Sequence, residues 1–288
     1  MIEQYLMLLG PVLVLALLFR AVEWLAPAES GQPLGAWLFN LFYMPFFLAF
    51  ALLAGSAFGP AFSFAHAQTG GGLLPAFAGE GSGPGALLLF AFVYALMWDL
   101  CQYALHRLQH GIPFLWETHK FHHDETALNA AAQTRVHPTS YVLATMAHIP
   151  VIILLGPQTP HFLAAFVLFS LWGFVNHANV RLDLGPLTPL ISGPQWHRIH
   201  HSILPEHRDR NFAAFFPVID LAFGTYYRPL AGEYPPSGLD AERVPSLRGA
   251  TIEPFRAWLA MIGRRREAPG TPFSSGHSPE SRTPRSAP

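Results

Sequence analysis

Three short stretches hold most of the chemistry this chain can do: HRLQH at His106–His110, HKFHH at His119–His123 and HRIHH at His197–His201. Imidazole at such density points to metal. Neutral imidazole is the commonest side-chain metal ligand, and closely packed rings cannot all carry a proton. On a helix, residues three and four apart share a face. His106 and His110 therefore project together. In H-x-x-H-H, taken by His119, His122 and His123 and again by His197, His200 and His201, positions i, i+3 and i+4 line one face. Each triplet can aim at one point or divide between two neighbouring points. An octahedral ion takes about six ligands, so eight imidazoles imply two ions. The ligand type does not name the metal, since imidazole suits iron, zinc, copper and nickel alike. H-E-x-x-H, the helical zinc-protease signature, is missing from the sequence. Soluble di-iron bundles use paired Glu and Glu-x-x-His, whereas carboxylates are scarce here. A single HxxxH recurs by chance in a chain with 15 histidines; three such boxes in order carry weight.

The elements that position these boxes read as membrane helices. Charged residues make up 12% of the 288 residues and hydrophobic ones 51%, against about 25% charged in a soluble domain. No charged residue occurs between Glu29 and Glu80 or between Arg135 and Arg181. A bilayer crossing needs about 20 apolar residues, so the composition predicts an all-α, integral membrane helical bundle with a His-rich helical cap. The first helix covers about Tyr5–Trp24. Glu3 stands where a signal peptide would be basic, which favours a retained span. A second helix covers about Ala36–Ala57, and a Gly/Pro-rich loop runs through Gly59–Gly85. The third helix starts at Ala86 and emerges near His106. A tight hairpin follows, about Tyr141–Leu155 and His161–Asn176, its arms short for a full crossing. The units are 1–85, with two spans and the loop; 86–235, catalytic; 236–263, an amphipathic segment; and 264–288, a Ser/Pro/Gly-rich tail read as disordered. Apart from Arg20, every Lys and Arg lies at or after Arg107. The positive-inside rule then puts the N-terminus outside and the histidine boxes on the cytoplasmic face.

The last segment sets Ile252, Phe255, Trp258, Leu259 and Ile262 on one helical face, a pattern shared by interfacial helices and packed amphipathic ones. Arg264–Arg266 follows as a basic flank. Cys101 is the only cysteine, so no intrachain disulfide or cysteine-ligated cluster forms. GSGPGA at Gly81–Ala86 fits a dinucleotide pattern formally, but no strand precedes it. Nothing in the composition points to nucleic acid.

HRLQH, HKFHH and HRIHH, with RVHP at Arg135–Pro138 and NHANV at Asn176–Val180, resemble the three-box pattern of the fatty acid hydroxylase / sterol desaturase superfamily of membrane di-iron oxygenases. The likeness covers about Ala91–Pro229. It departs at Ala213 and Ile219, where relatives often carry Gly and Trp. The resemblance implies two iron ions, with zinc as a possible substitute, and O2 as co-substrate. It implies His106, His110, His119, His122, His123, His197, His200 and His201 as ligands, His177 as a ninth, and His137 as ligand or supporting residue. It also implies a lipid substrate, hydroxylated or desaturated, and two electrons from a separate ferredoxin- or cytochrome-type donor with its reductase. Metal-bound histidines usually give their other N–H to a carboxylate or carbonyl; Asp99, Asp124, Asp209 and Asp220 are the carboxylate candidates. His207 reads as solvated or supporting, His66, His148 and His161 as non-ligands, and His277 as tail. The rival readings are a metal transporter, disfavoured because the boxes lie outside the spans, and a zinc hydrolase with Glu117 as base.

Overall fold

The computed structural model describes residues 2–68, 83–155, 160–239 and 246–267. Its elements are helical: α1 (Ile2–Leu25), α2 (Leu34–Gln68), α3 (Pro84–Gly111), α4 (Pro113–His123), α5 (Pro138–Ala147), α6 (Ile149–Leu155), α7 (Pro160–His177), α8 (Pro194–His200), α9 (Val218–Phe223), α10 (Leu247–Thr251) and α11 (Glu253–Glu267). Among the described residues, β-pairing is confined to two isolated bridges, Pro27 with Val180 and Ser202 with Ser237.

Among the described residues, four helical stretches are long and apolar enough to cross a membrane: Ile2–Leu25, Leu34–Ala65, Pro84–Gly111 and Pro138–Leu155. At 1.5 Å per residue, the 24 residues of α1 span about 36 Å, enough for a hydrocarbon core of about 30 Å. Leu6, Leu17 and Leu18 on α1, Phe42 and Leu53 on α2, and Leu88, Leu89 and Phe92 on α3 lie exposed. Apolar side chains left uncovered along a whole helix suit lipid rather than water.

Two expected boundaries shift. Gly59–Gln68 was expected in a loop, yet α2 continues through it to Gln68 with Pro45 and Pro60 inside the helix. Proline is tolerated within membrane helices, and Phe58 meets Phe62 one turn on. Of the rest of the expected loop, 69–82 lies outside the described residues, with Gly81 and Ser82 of GSGPGA among them, while Pro84 and Gly85 already open α3. The first hairpin arm starts earlier, at Pro138, and divides at His148, because Pro150 in the first turn of α6 cannot extend the α5 hydrogen-bond ladder. The hairpin's tip at 156–159, the tail with His277, and the side chains of His66 and His161 also lie outside the described residues.

Packing draws the two ends of the chain onto the box region. Ala16 of α1 and Trp37 and Met44 of α2 pack with Ala130, Ala131, Phe174 and Ala178. Tyr103 of α3 packs with Trp196 of α8, Phe212, Ala213 and Ile219. Tyr43 of α2, Phe121 of α4 and Ala250 of α10 form another core. The box helices α3, α4 and α8 are thus gripped from both sides.

Candidate metal centre

The boxes lie on α3, α4 and α8 as their spacing predicts, with His201 closing α8 as its C-cap. The rings converge on two points. His106, His110, His119, His123 and His200 form one group; His122, His177, His197 and His201 form the other, and within each group the offered nitrogens lie within 4.8 Å of one another. Both triplets divide, in opposite senses. In α4 the i and i+4 rings, His119 and His123, join the five-histidine group and His122 joins the other. In α8 the i and i+4 rings, His197 and His201, join the four-histidine group and His200 crosses over.

Nε2 of His123 lies 3.1 Å from Nε2 of each of His110, His119 and His200. In the second group, Nε2 of His177 lies 3.1 Å from those of His122 and His197, and His201 Nε2 lies 3.2 Å from that of His197. Two nitrogens each about 2.1 Å from one ion at a right angle stand about 3.0 Å apart, and about 3.4 Å apart at a tetrahedral angle. The observed spacings fall between these.

For His122 and His177 the outer nitrogens exclude an ordinary hydrogen bond between the two rings. His122 Nδ1 donates to the Arg135 carbonyl at 3.3 Å and His177 Nδ1 to the Gly173 carbonyl at 2.7 Å. A neutral imidazole has one N–H. Both Nε2 atoms therefore present lone pairs to each other at 3.1 Å, an arrangement that a cation between them would relieve. His106 Nδ1 donates to the Phe212 carbonyl at 2.8 Å and His200 Nδ1 to the Arg210 carbonyl at 2.7 Å. His106 Nε2 is buried with no hydrogen-bond partner. The donor set fits two imidazole-bound ions.

Electrostatics agree. Burial first, and then the charge each ring would impose on its neighbours, hold His119, His122, His123, His197, His200 and His201 well below the ordinary histidine value. These rings are neutral at pH 7 and have lone pairs to offer.

The carboxylate candidates sort unequally. Asp209 accepts from His110 Nδ1 at 3.2 Å, and that hydrogen bond holds its carboxyl below the usual carboxylate range. The other three have partners elsewhere than expected. Asp99 turns away from His106 and accepts the backbone N–H groups of Ala214, Phe215 and Phe216 at 2.7, 3.0 and 2.6 Å. Asp220 accepts from the N–H groups of Phe212 and Ala213 at 2.8 and 2.9 Å. Asp124 pairs with Arg135. Asp220 acts one step further out, on the N–H of Phe212, whose carbonyl takes the His106 proton, and Asp124 on Arg135, whose carbonyl takes that of His122. Asp209 and Asn211 have φ of 57° and 62°, a left-handed region that Asp and Asn tolerate better than most residues. This bend turns the Asp209 carboxylate and the carbonyls of Arg210 and Phe212 toward His110, His200 and His106.

His137 reaches neither group. Its Nδ1 accepts the Thr139 N–H at 3.1 Å, capping α5, and its Nε2 lies 3.3 Å from the Thr251 carbonyl. His207 is buried rather than solvated, between Ser202 Oγ at 2.9 Å and Glu233 Oε1 at 3.2 Å. His148 stacks on Trp98 at 3.8 Å, as a non-ligand would. Glu117 lies 3.8 Å from Lys120, outside both groups.

Sequence reasoning missed Glu23, Glu29 and Arg198. Glu23, buried in α1, accepts the Ala130 N–H at 2.6 Å and the Asn179 N–H at 3.0 Å. Arg198, within the third box, reaches Glu29 at 2.5 Å and the Pro235 carbonyl at 2.8 Å. A charge within an otherwise apolar span was the available signal for Glu23.

These features define a helical membrane protein that gathers nine imidazoles into two candidate metal sites. Residues 91–225 match the fatty acid hydroxylase family, and with the relatives below this supports the resemblance to the fatty acid hydroxylase / sterol desaturase superfamily. It is similar to an alkylglycerol monooxygenase of Danio rerio, 30% identical over 129 residues that cover 44% of this chain and 28% of the relative. It is similar to the ornithine lipid hydroxylase OlsE of Rhizobium tropici, 33% identical over 129 residues, 44% of this chain and 38% of the relative. A Delta(7)-sterol 5(6)-desaturase of Gibberella zeae, ERG3A, is 28% identical over 138 residues, 48% of this chain and 37% of the relative. The aligned region spans well under half the length of each of these relatives. No solved structure matches.

Proposed function

We propose that this protein is a membrane-bound oxygenase that hydroxylates or desaturates a C–H bond of a lipid, using O2 and two electrons from an external ferredoxin- or cytochrome-type donor with its reductase. The observation that carries the reading is the pair of imidazole groups, within each of which Nε2 atoms lie about 3.1 Å apart, as between His122 and His177 and between His123 and His200. It is supported by the family match over the same helices and by relatives named as lipid monooxygenase, lipid hydroxylase and sterol desaturase. His106, His110, His119, His123 and His200 would hold one iron and His122, His177, His197 and His201 the other, with zinc a possible substitute. Bound iron would supply the redox capacity that O2 chemistry at an unactivated C–H bond requires.

The chain's own part is positioning. Carbonyls of Arg135, Gly173, Arg210 and Phe212 take the Nδ1 protons of His122, His177, His200 and His106, fixing the tautomer that leaves Nε2 free. Asp209 does this for His110. Tyr103, Trp196, Phe212 and Ile219 pack beside the five-histidine group and keep bulk water from that side. α3 runs from lipid into this group, so a substrate whose reactive carbon lies in the bilayer need not leave it. The boxes face the cytoplasm in this reading, by the charge asymmetry of the sequence.

The test is anaerobic purification with metal analysis, followed by turnover on extracted lipids. The expected result is about two irons per chain and O2-dependent products shifted by one oxygen or by two hydrogens. Stoichiometric zinc with hydrolysis or transport and no O2 dependence would overturn the proposal. Lipid profiles of a deletion strain would identify the substrate.

A further inference from the structure

The C-terminal helix carries a second apolar stripe that the fold leaves uncovered. Successive residues of an α-helix are rotated by about 100°, and α11 divides into three sectors on that basis. Pro254, Ala257, Trp258 and Met261 form the first and are buried or half-buried. There Trp258 stacks on Phe114 of α4 at 4.2 Å with its ring 9° from parallel, and its Nε1–H donates to the Phe114 carbonyl at 2.7 Å. Glu253 and Arg256 form a polar sector bordering a cleft of about 340 Å³, lined also by Glu117, Lys120 and Asp124. Between them runs the third sector. Phe255, Leu259 and Ile262 are 47%, 70% and 48% exposed, and Ile252, one turn earlier, is 48% exposed.

Helix packing thus consumes one apolar sector and leaves another. Position says what covers it. Phe114 follows closely on the end of the membrane-spanning helix α3 at Gly111, and Leu108, Ile112 and Phe114 are themselves exposed apolar residues. Because α11 stacks on Phe114, its stripe lies close to the depth at which α3 leaves the hydrocarbon. A helix with an apolar stripe, a polar flank and basic residues suits the headgroup boundary. Arg248 and Arg256 are exposed beside the stripe, and Arg264–Arg266 continues it in sequence.

We propose that α10–α11 is an interfacial helix pair whose stripe Ile252, Phe255, Leu259 and Ile262 inserts into the same bilayer that α1–α3 cross; this rests on the membrane-spanning reading and on neither the metal nor the reaction. The full-length chain in anionic phospholipid vesicles tests it. A nitroxide is attached at Leu259→Cys, at Ile262→Cys or at Arg256→Cys, in a Cys101→Ala background, or Cys101→Ser if the first is unstable. Collision rates are read with O2, which concentrates in lipid, and with a neutral nickel chelate, which stays in water. Labels at 259 and 262 are expected to collide several-fold more with O2 than with nickel, and the label at 256 to show the reverse. Equal or greater nickel collision at 259 and 262 overturns the proposal. Low collision with both, accompanied by spin–spin broadening, means that a second copy covers the stripe, and overturns it too.

Discussion

His122 and His177 show at the residue scale what the centre requires. Each gives its Nδ1 proton to a carbonyl, leaving two lone pairs 3.1 Å apart. Removing one ring should empty its own group first. His122→Ala is expected to lower bound metal from about two ions to about one, and His200→Ala to do the same from the other side, both with loss of turnover. Metal analysis beside activity reads this; full metal and full turnover in either variant would refute the assignment. Asp209 is the carboxylate that touches a box histidine. Asp209→Ala should weaken the five-histidine ion by about 10- to 100-fold, whereas Asp209→Asn, which keeps an acceptor oxygen and tolerates φ of 57°, should restore most of it. Competition with a calibrated chelator measures both. Acid adds a further test. Burial lowers the six rings His119, His122, His123, His197, His200 and His201 in the folded chain. Between the folded value and the ordinary one of about 6.5, the unfolded chain binds more protons. Their contribution to stability is therefore complete above about pH 6.5 and falls as the pH drops below it. Each ring adds a slope of up to about 1.4 kcal/mol per pH unit. The metal-free protein should lose thermal stability steeply from pH 7 to pH 5, and a flat profile would contradict the burial of these rings.

At the scale of elements, spacing made the box helices readable. H-x-x-H-H required a helix, and α4 and α8 are helices with their rings on the inner face. Spacing left open whether each triplet would serve one point or two. That is settled by the fold, which brings His200 of α8 to His123 of α4 across some eighty positions of sequence. Asp99 was misread for a related reason. Seven residues before His106, it shares that histidine's face on an ideal helix. The Ala214–Phe216 backbone, which has no side-chain signature, arrives beside it and claims both its oxygens. The end of α2 was misread because Gly and Pro in Gly59–Gln68 were weighed as they act in water, where they break helices; along lipid the backbone has nowhere else to bond. A test belongs to Asp99. Asp99→Asn keeps the shape but gives up one acceptor and the charge, for three N–H groups in a buried place. It should cost about 3 kcal/mol. It should also loosen the Phe212 carbonyl that holds His106. A lowered unfolding temperature with partial loss of the five-histidine ion is expected, while an unchanged melting curve would show the loop to be held by other contacts.

Across the whole molecule, the N-terminal helices carry little of the family likeness, which begins at residue 91, yet they are built into the centre. Glu23 of α1 accepts N–H groups from Ala130 and from Asn179. Ala130 opens the turn that leads to Arg135, whose carbonyl orients His122; Asn179 lies two residues beyond His177. One buried carboxylate therefore ties together the two segments that bring His122 and His177 within 3.1 Å of each other. Glu29, in the link to α2, secures Arg198 of the third box in the same way. If these ties position the four-histidine group, the spans are parts of the site as well as anchors in lipid. Glu23→Gln changes no ligand and little volume. It replaces the carboxyl acceptor of two buried hydrogen bonds by an amide, at a cost of about 1 to 3 kcal/mol. Because both bonds bear on the four-histidine group, that ion should dissociate faster while the five-histidine ion stays. Chelator-driven metal release followed in time should change from two similar phases to one fast and one unchanged. Were both ions to leave at the parent's rates, α1 would serve as a membrane anchor and the centre would stand without it.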